Sequence, residues 1–251
     1  MKIKINKISK AFQSGSKDML VLDKIEFQIK EGEFLTIFGP NGCGKTTLLN
    51  IIAGLEQPTQ GSIELNTSKE ETKVGFVFQS YQESLFPWKS VKGNIELALE
   101  SRLRNRKERE RISESYLKEV GLLNFANKYP YQLSGGMKQL VAIGRAFAYE
   151  PHFFLMDEPF SALDYDNRIM MEEKLLDLWT KHKKTVIFVS HDIDEAVFLS
   201  DKIVILSKRP AKVKAIIDVN LKRPRSIETR LENRFFEIKK KVLRIFKEEI
   251  K

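Results

Sequence analysis

Hydrophobic residues fall along this chain in two rhythms. Ile25, Phe27 and Ile29 alternate with polar neighbours, the period-two pattern of a half-buried strand, and residues 1–6 (Met1-Lys2-Ile3-Lys4-Ile5-Asn6) alternate in the same way. Segments 34–38, 74–78, 153–156 and 186–189 are instead short and almost wholly apolar, as in strands covered on both faces. Helical spacing follows the first of these runs, over 46–53, and returns between the later ones. Buried strands alternating with helices predict an α/β core with a largely parallel sheet.

Residues from about Ser80 to Glu150 break this rhythm. They hold no apolar run of strand length and mostly helical patterns, such as 94–100 and 107–120. They are expected to form a helical subdomain inserted at about 80–150 into a domain spanning 1–220. Beyond Pro224, Ser226 is placed to cap a helix. Ile227, Leu231, Phe235, Ile238, Val242 and Ile245 then recur at helical spacing, which predicts a basic amphipathic C-terminal helix within 221–251.

Composition adds limits rather than a function. With 42% hydrophobic and 31% charged residues over 251 positions, the chain can bury an ordinary globular core. The net charge of +9 raises nucleic acid and anionic membranes as partners. The excess is concentrated in Arg102, Arg104, Arg106, Lys107, Arg109 and Arg111 and in the tail from Lys222, on helical patterns that read as solvated faces. No nucleic-acid role is expected. Cys43 is the only cysteine, so an internal disulfide is excluded. No apolar run is long enough to span a bilayer, and the first residues lack the apolar core of a signal peptide. The chain is expected to be neither secreted nor membrane-spanning by itself.

The candidate chemistry starts at Gly39-Pro40-Asn41-Gly42-Cys43-Gly44-Lys45-Thr46, with Thr47 behind it. This is G-x-x-x-x-G-K-[ST] between a predicted strand and a predicted helix. The glycines let backbone N–H groups turn toward phosphate oxygens, and the helix N-terminus adds its dipole. Lys45 is placed for the β- and γ-phosphates of ATP and Thr46 for Mg²⁺. The apolar run 153–156 ends in Asp157 and Glu158. Asp157 suits the metal, and Glu158 a water that attacks the γ-phosphate.

Leu133-Ser134-Gly135-Gly136-Met137-Lys138-Gln139 precedes that acidic pair, and Ser134 can cap the helix after it. The ordered set resembles the ABC-transporter ATPases from Met1 to about Asp218. The resemblance implies the P-loop NTPase fold, with an antiparallel N-terminal β part. It also implies a homodimer enclosing two MgATP, in which Ser134, Gly135 and Gly136 of one subunit meet the γ-phosphate held by the other. Gln79 matches the glutamine loop, adding to the catalytic and metal sets. Asp164, in Ser161-Ala162-Leu163-Asp164, matches the loop that crosses the dimer interface. His191 matches the switch histidine, and Phe12 the aromatic that stacks on adenine.

A finer similarity, in residues 84–91 and in Met137, is to importers of nitrate, sulfonates and taurine. It implies a separate integral-membrane permease contacting Leu85, Phe86 and Trp88, served by an extracytoplasmic solute-binding protein. The ATPase would then sit peripherally on the cytoplasmic face of the membrane. Leu140 and Gly144 depart from the family's usual Arg and Ala. ABC proteins that act on nucleic acid or ribosomes usually fuse two ATPase units or carry long coiled coils, whereas this chain has one motif set and no sustained heptads. Lys45, Asp157, Glu158 and His191 argue against ATP binding without turnover.

Overall fold

The alternating N-terminal segments become β1 (Lys2–Ser14) and β2 (Lys17–Ile29), which pair antiparallel. The computed structural model describes residues 2–14, 17–66, 72–79 and 84–250. Met1, Ser80 and Lys251, named in the expectations above, lie outside these. The chain divides into two compact units, one formed by residues 1–72 and 183–251 and the other by 73–182.

In the first unit the apolar run 34–38 is β3 (Phe34–Phe38), and β4 (Gln60–Asn66) follows further on. β4 joins β1 on the edge opposite β2 to complete a three-stranded antiparallel sheet. Pairing of Ile3 with Ile29 and Ile5 with Phe27 buries these side chains. A register shift at Lys7, whose φ is 46°, lets Ile8 rejoin them inside. One extra residue in a strand flips the alternation, and here the flip keeps the apolar set buried.

The second sheet of this unit is built on β3. The other unit contributes β5 (Val74–Val77) and β6 (Phe153–Asp157) to the chain order, after which come β7 (Thr185–Ser190), β8 (Lys202–Leu206) and β9 (Val213–Asp218). β3 runs parallel between β7 and β8, and β9 lies antiparallel on β8. Every residue of β3 and β7 is buried, including the polar Thr36, Thr185 and Ser190, as expected of strands that are almost wholly apolar and covered on both faces. α1 (Lys45–Ile52) follows β3.

In the second unit β5 and β6 pair parallel, Val74 with Phe153 through Val77 with Met156. β5 ends one residue before Phe78, which is exposed. Among the described residues they are accompanied by α2 (Val91–Glu100), α3 (Arg106–Glu119), α4 (Gly135–Ala148) and α5 (Tyr165–His182). Local caps set three of their starts. Ser90 accepts from the Gly93 N–H, Asn105 from Glu108 and Ser134 from Met137. The two departures from family usage fall inside this unit. Leu140 is buried, and a Cβ on Gly144 would meet Ile95 and Val120 at 3.5 Å, an ordinary contact that alanine could make.

The remaining helices belong to the first unit. α6 (Ile193–Leu199) follows β7, and α7 (Asn233–Ile250) closes the chain. The tail is not one helix from Ser226, as the spacing predicts. A 3₁₀ turn spans Ile227–Leu231, the Ser226 N–H donates to Thr229 Oγ1 at 3.2 Å, and Glu232 is extended before α7 starts. Ile227 and Leu231 are therefore 48% and 75% exposed, while Phe235, Ile238 and Val242 are buried. Apolar spacing alone runs straight through such a break, because a capped turn satisfies the backbone without changing the hydrophobic count.

Candidate functional site

In the first unit β3 delivers the chain into the glycine-rich loop, and α1 carries it away. Gly44 occupies the N-cap position with φ 116°. A Cβ there would stand 2.8 Å from Val21 Cγ1 and 2.9 Å from Leu22 Cδ2, so the turn needs both the backbone freedom and the lack of bulk of glycine. No side chain caps α1, which leaves its N-terminus to an anion. Lys45 is buried, and its Nζ donates to the carbonyls of Gly39 at 3.0 Å and Pro40 at 3.1 Å. The loop thus holds its own cation folded across it. Thr46 is exposed and Thr47 half-buried, while Asn41 and Gly42 are exposed.

Cys43 is 1% exposed, and burial raises its thiol pKa against the lowering influence of Lys45. Arg209 braces the loop from outside: its Nη2 donates to the Gly42 carbonyl at 2.6 Å and its Nη1 contacts Met19 Sδ at 3.3 Å. Met19 is the cross-strand partner of Phe12, which is half-buried and has Lys10 Nζ 4.8 Å from its ring centroid. Arg209 has no counterpart among the sequence expectations, since nothing local marks a residue that meets the loop 167 positions away. His191 is exposed just beyond β7. On one side Asp192 caps α6, accepting from the N–H groups of Asp194 at 2.8 Å and Glu195 at 3.2 Å.

In the second unit Asp157 ends β6 nearly buried, and Glu158 turns away half-buried with φ 44°. A non-glycine residue in this left-handed region stores strain, and such strain gathers at functional sites. Ser161 fixes the turn: its Oγ donates to the Glu158 carbonyl at 2.9 Å and accepts from Gln79 Nε2 at 3.4 Å. The structure thus brings Gln79 to the same serine as Glu158. Asp164 is exposed and accepts from the N–H and Nδ2 of Asn167 at 3.0 and 2.8 Å, which holds its carboxyl below the usual range. The second unit offers the Asp157 carboxylate and the Gln79 amide oxygen, and the first the Thr46 hydroxyl, each a hard oxygen donor of the kind Mg²⁺ accepts.

Ser134 is exposed, and its hydroxyl accepts from the Met137 N–H at 3.3 Å. Gly135 is half-buried and opens α4. A Cβ on Gly136 would meet Met171 Cε at 2.8 Å, so the start of α4 sits tightly on α5. The proposed permease-contact residues separate. Trp88 is 71% exposed and Phe86 half-buried, but Leu85 is 4% exposed and belongs to the core, out of reach of a partner. Asn94 shapes this loop: buried on α2, it accepts from the Phe86 N–H at 2.9 Å and donates to the carbonyls of Phe86, Lys89 and Ser90 at 3.1–3.2 Å. Beside it lies a cavity of about 640 Å³ lined by Phe76, Phe78, Phe86, Leu97, Arg145 and Tyr149, among others.

The sequence profile described as ABC transporter matches residues 22–161. An ABC transporter ATP-binding protein of Methanocaldococcus jannaschii is 46% identical, with 100% of this chain and 93% of the relative covered. An aliphatic sulfonates import ATP-binding protein of Bacillus cereus is 43% identical over 98% of this chain and 96% of its own. Among solved structures, the dimer of a bacterial ABC transporter cassette superposes with a TM-score of 0.75 at 35% identity, covering 88% of this chain and 100% of that one. A dimeric ATP-binding cassette in a post-hydrolysis state, bound to ADP and phosphate, gives 0.74 at 34% identity over the same shares. From the phosphate loop to the near-complete coverage of these relatives, the chain belongs to the ABC transporter family of ATP-binding cassettes.

Proposed function

We propose that the protein is the ATP-hydrolysing subunit of an importer, working as a homodimer beneath a separate permease on the cytoplasmic face of the membrane. The observation that carries this reading is the phosphate loop, with Lys45 held against the Gly39 and Pro40 carbonyls above an uncapped helix N-terminus. On ATP binding Lys45 exchanges those carbonyls for the β- and γ-phosphates, and Gly39 and residues 41–47 supply N–H donors, Pro40 having none. Phe12 stacks on the adenine. Mg²⁺, when bound, neutralises charge developing on the phosphates. Thr46, Asp157 and Gln79 would hold it.

Hydrolysis needs a positioned water more than covalent help. Glu158 accepts a hydrogen bond from that water. The water's oxygen attacks the γ-phosphorus as its proton passes to Glu158 and on to the released phosphate, the bond from the γ-phosphorus to the β–γ bridging oxygen breaks, and ADP leaves with that oxygen. His191 contacts the γ-phosphate and senses its loss. Ser134, Gly135 and Gly136 of the second subunit complete the site, with Asp164 at the subunit boundary.

Phe86, which lines the cavity, and the neighbouring Trp88 receive the permease. An exposed Trp88 on a loop that Asn94 holds through Phe86, Lys89 and Ser90 fits an apolar partner surface. The solute is nitrate, a sulfonate, taurine or a similar small anion or zwitterion, delivered by an extracytoplasmic binding protein. The aliphatic-sulfonate relatives favour this class.

Among the described residues no helix is long and apolar enough to cross a membrane, in keeping with a separate permease. At a hundredfold excess over Kd, MgATP should stabilise the protein by about 2.7 kcal/mol, roughly 5–10 °C in Tm. Lys45→Ala should lose that shift together with turnover. An unchanged shift in Lys45→Ala overturns the phosphate assignment. Vesicles holding the permease should take up an alkanesulfonate only with the wild-type subunit and its binding protein. Failure of uptake with every solute of the class overturns the import reading.

A further inference from the structure

α6 is only seven residues long, too short to hold its shape alone. Its first turn is tied to the switch segment. Ser190 Oγ accepts from the Asp192 N–H at 2.9 Å and bonds the Glu195 carboxylate, so residues on both sides of His191 are fixed to α6. Whatever positions α6 therefore positions His191.

The tail grips α6 at both ends. At its C-terminus Arg225 Nη1 donates to the carbonyls of Phe198 at 2.7 Å and Ser200 at 2.9 Å, and Arg223 Nη2 to Leu199 at 2.7 Å. These are carbonyls that a helix end leaves without partners, and cations suit that pole of the dipole. The Arg225 side chain is fully buried. The Arg230 guanidinium lies 4.1 Å from the centroid of the Phe198 ring. At the other end Lys239 of α7 forms a two-pronged ion pair with Asp194, 2.6 and 2.8 Å to its two oxygens. About two turns further along α7, Phe246 packs on Phe38 with ring centroids 5.0 Å apart. Phe38 is the residue before Gly39 of the phosphate loop.

We propose that residues 221–250 are a splint for α6, setting the switch histidine against the phosphate loop, with Lys239 and Arg225 as positioning residues. The inference rests on the proposed role of His191. The basic residues of the tail then have a task within the ATPase itself, apart from any external partner. Lysine at the N-terminal end of a helix opposes the dipole, and here Asp194 offsets that cost, which marks the contact as a placed one.

The test compares four variants of the full chain in steady-state MgATP hydrolysis. Lys239→Ala should lower kcat about three- to fivefold, the scale of a partly exposed ion pair, with ATP affinity and Tm nearly unchanged. Lys239→Arg should restore turnover, and Lys241→Ala, exposed on the same helix, should match the wild type. His191→Ala should be nearly inactive. Unchanged kcat in Lys239→Ala beside an inactive His191→Ala overturns the splint while leaving the histidine's role intact. Parallel losses of kcat, ATP affinity and Tm in Lys239→Ala, with no rescue by arginine, also overturn it, because they mark general destabilisation. Wild-type turnover in His191→Ala instead sinks the proposed role of the histidine, and the splint falls with it.

Discussion

Arg209 Nη2 donates to the backbone carbonyl of Gly42 at 2.6 Å, joining the turn after β8 to the middle of the phosphate loop. Gly42 has φ 73° and little packing to hold it, since a Cβ there would meet nothing within 4 Å. The guanidinium therefore restricts a segment that its own contacts leave loose. Arg209→Ala is expected to weaken ATP binding about three- to tenfold by isothermal titration, with Tm of the free protein almost unchanged. An unchanged Kd would mean that the loop holds its shape unaided.

Glu158→Gln keeps the size of the side chain and removes its charge. Turnover should fall about 10²–10³-fold while ATP still binds, leaving intact nucleotide between two subunits. The variant should run as a dimer in MgATP on size-exclusion chromatography. Ser134 is exposed at the start of α4, and adding Ser134→Arg places bulk where the second subunit must close. The double variant should bind ATP and run as a monomer. Near-normal turnover in Glu158→Gln would remove Glu158 from the mechanism.

Cys43 lies in the phosphate loop, but its burial raises the thiol pKa and shields it. Maleimide labelling of the native protein near pH 7 should be at least about tenfold slower than for a free thiol, whose pKa is about 8.5, and should quicken on unfolding. As pH rises, the unfolded chain releases the thiol proton before the folded one. The stability this group contributes is complete below about pH 8.5 and declines above it. Rapid native labelling would show that the loop opens readily.

Trp88 is largely exposed, whereas Asn94 behind it is fully buried with four hydrogen bonds to residues 86–90. Trp88→Ala should reduce capture by the permease without altering Tm or basal turnover. Asn94→Ala strands buried backbone groups and should cost about 2–4 kcal/mol, seen as a drop of several degrees in Tm. Undiminished capture of Trp88→Ala would move the permease contact elsewhere on the unit.

Much of the chemistry was readable because it is local. The eight residues 39–46 shape their own loop, and Ser134 caps its helix through a bond to a residue three positions on, whereas the equally local caps at Ser90 and Asn105 emerge only in the structure. Apolar runs announced β3, β6 and β7 because a strand buried on both faces needs no alternation. The same reasoning overran the tail, where Ile227 and Leu231 kept helical spacing across a 3₁₀ turn and an extended Glu232. The resemblance likewise placed Leu85 in the permease contact, but Leu85 is buried, since a motif match does not say which side of a loop faces the core.

By itself, then, the sequence determined the phosphate loop, the acidic strand end, the helix cap at Ser134 and the family, all written in contiguous residues or short fixed spacings. Tertiary structure alone decided that Arg209 braces Gly42, that Asn94 shapes the loop presenting Trp88, and that Arg225 and Lys239 grip α6. These contacts join residues that local spacing does not relate, or depend on which face of an element is covered. Their energies come from desolvated carbonyls and charges that become neighbours only once the strands are paired.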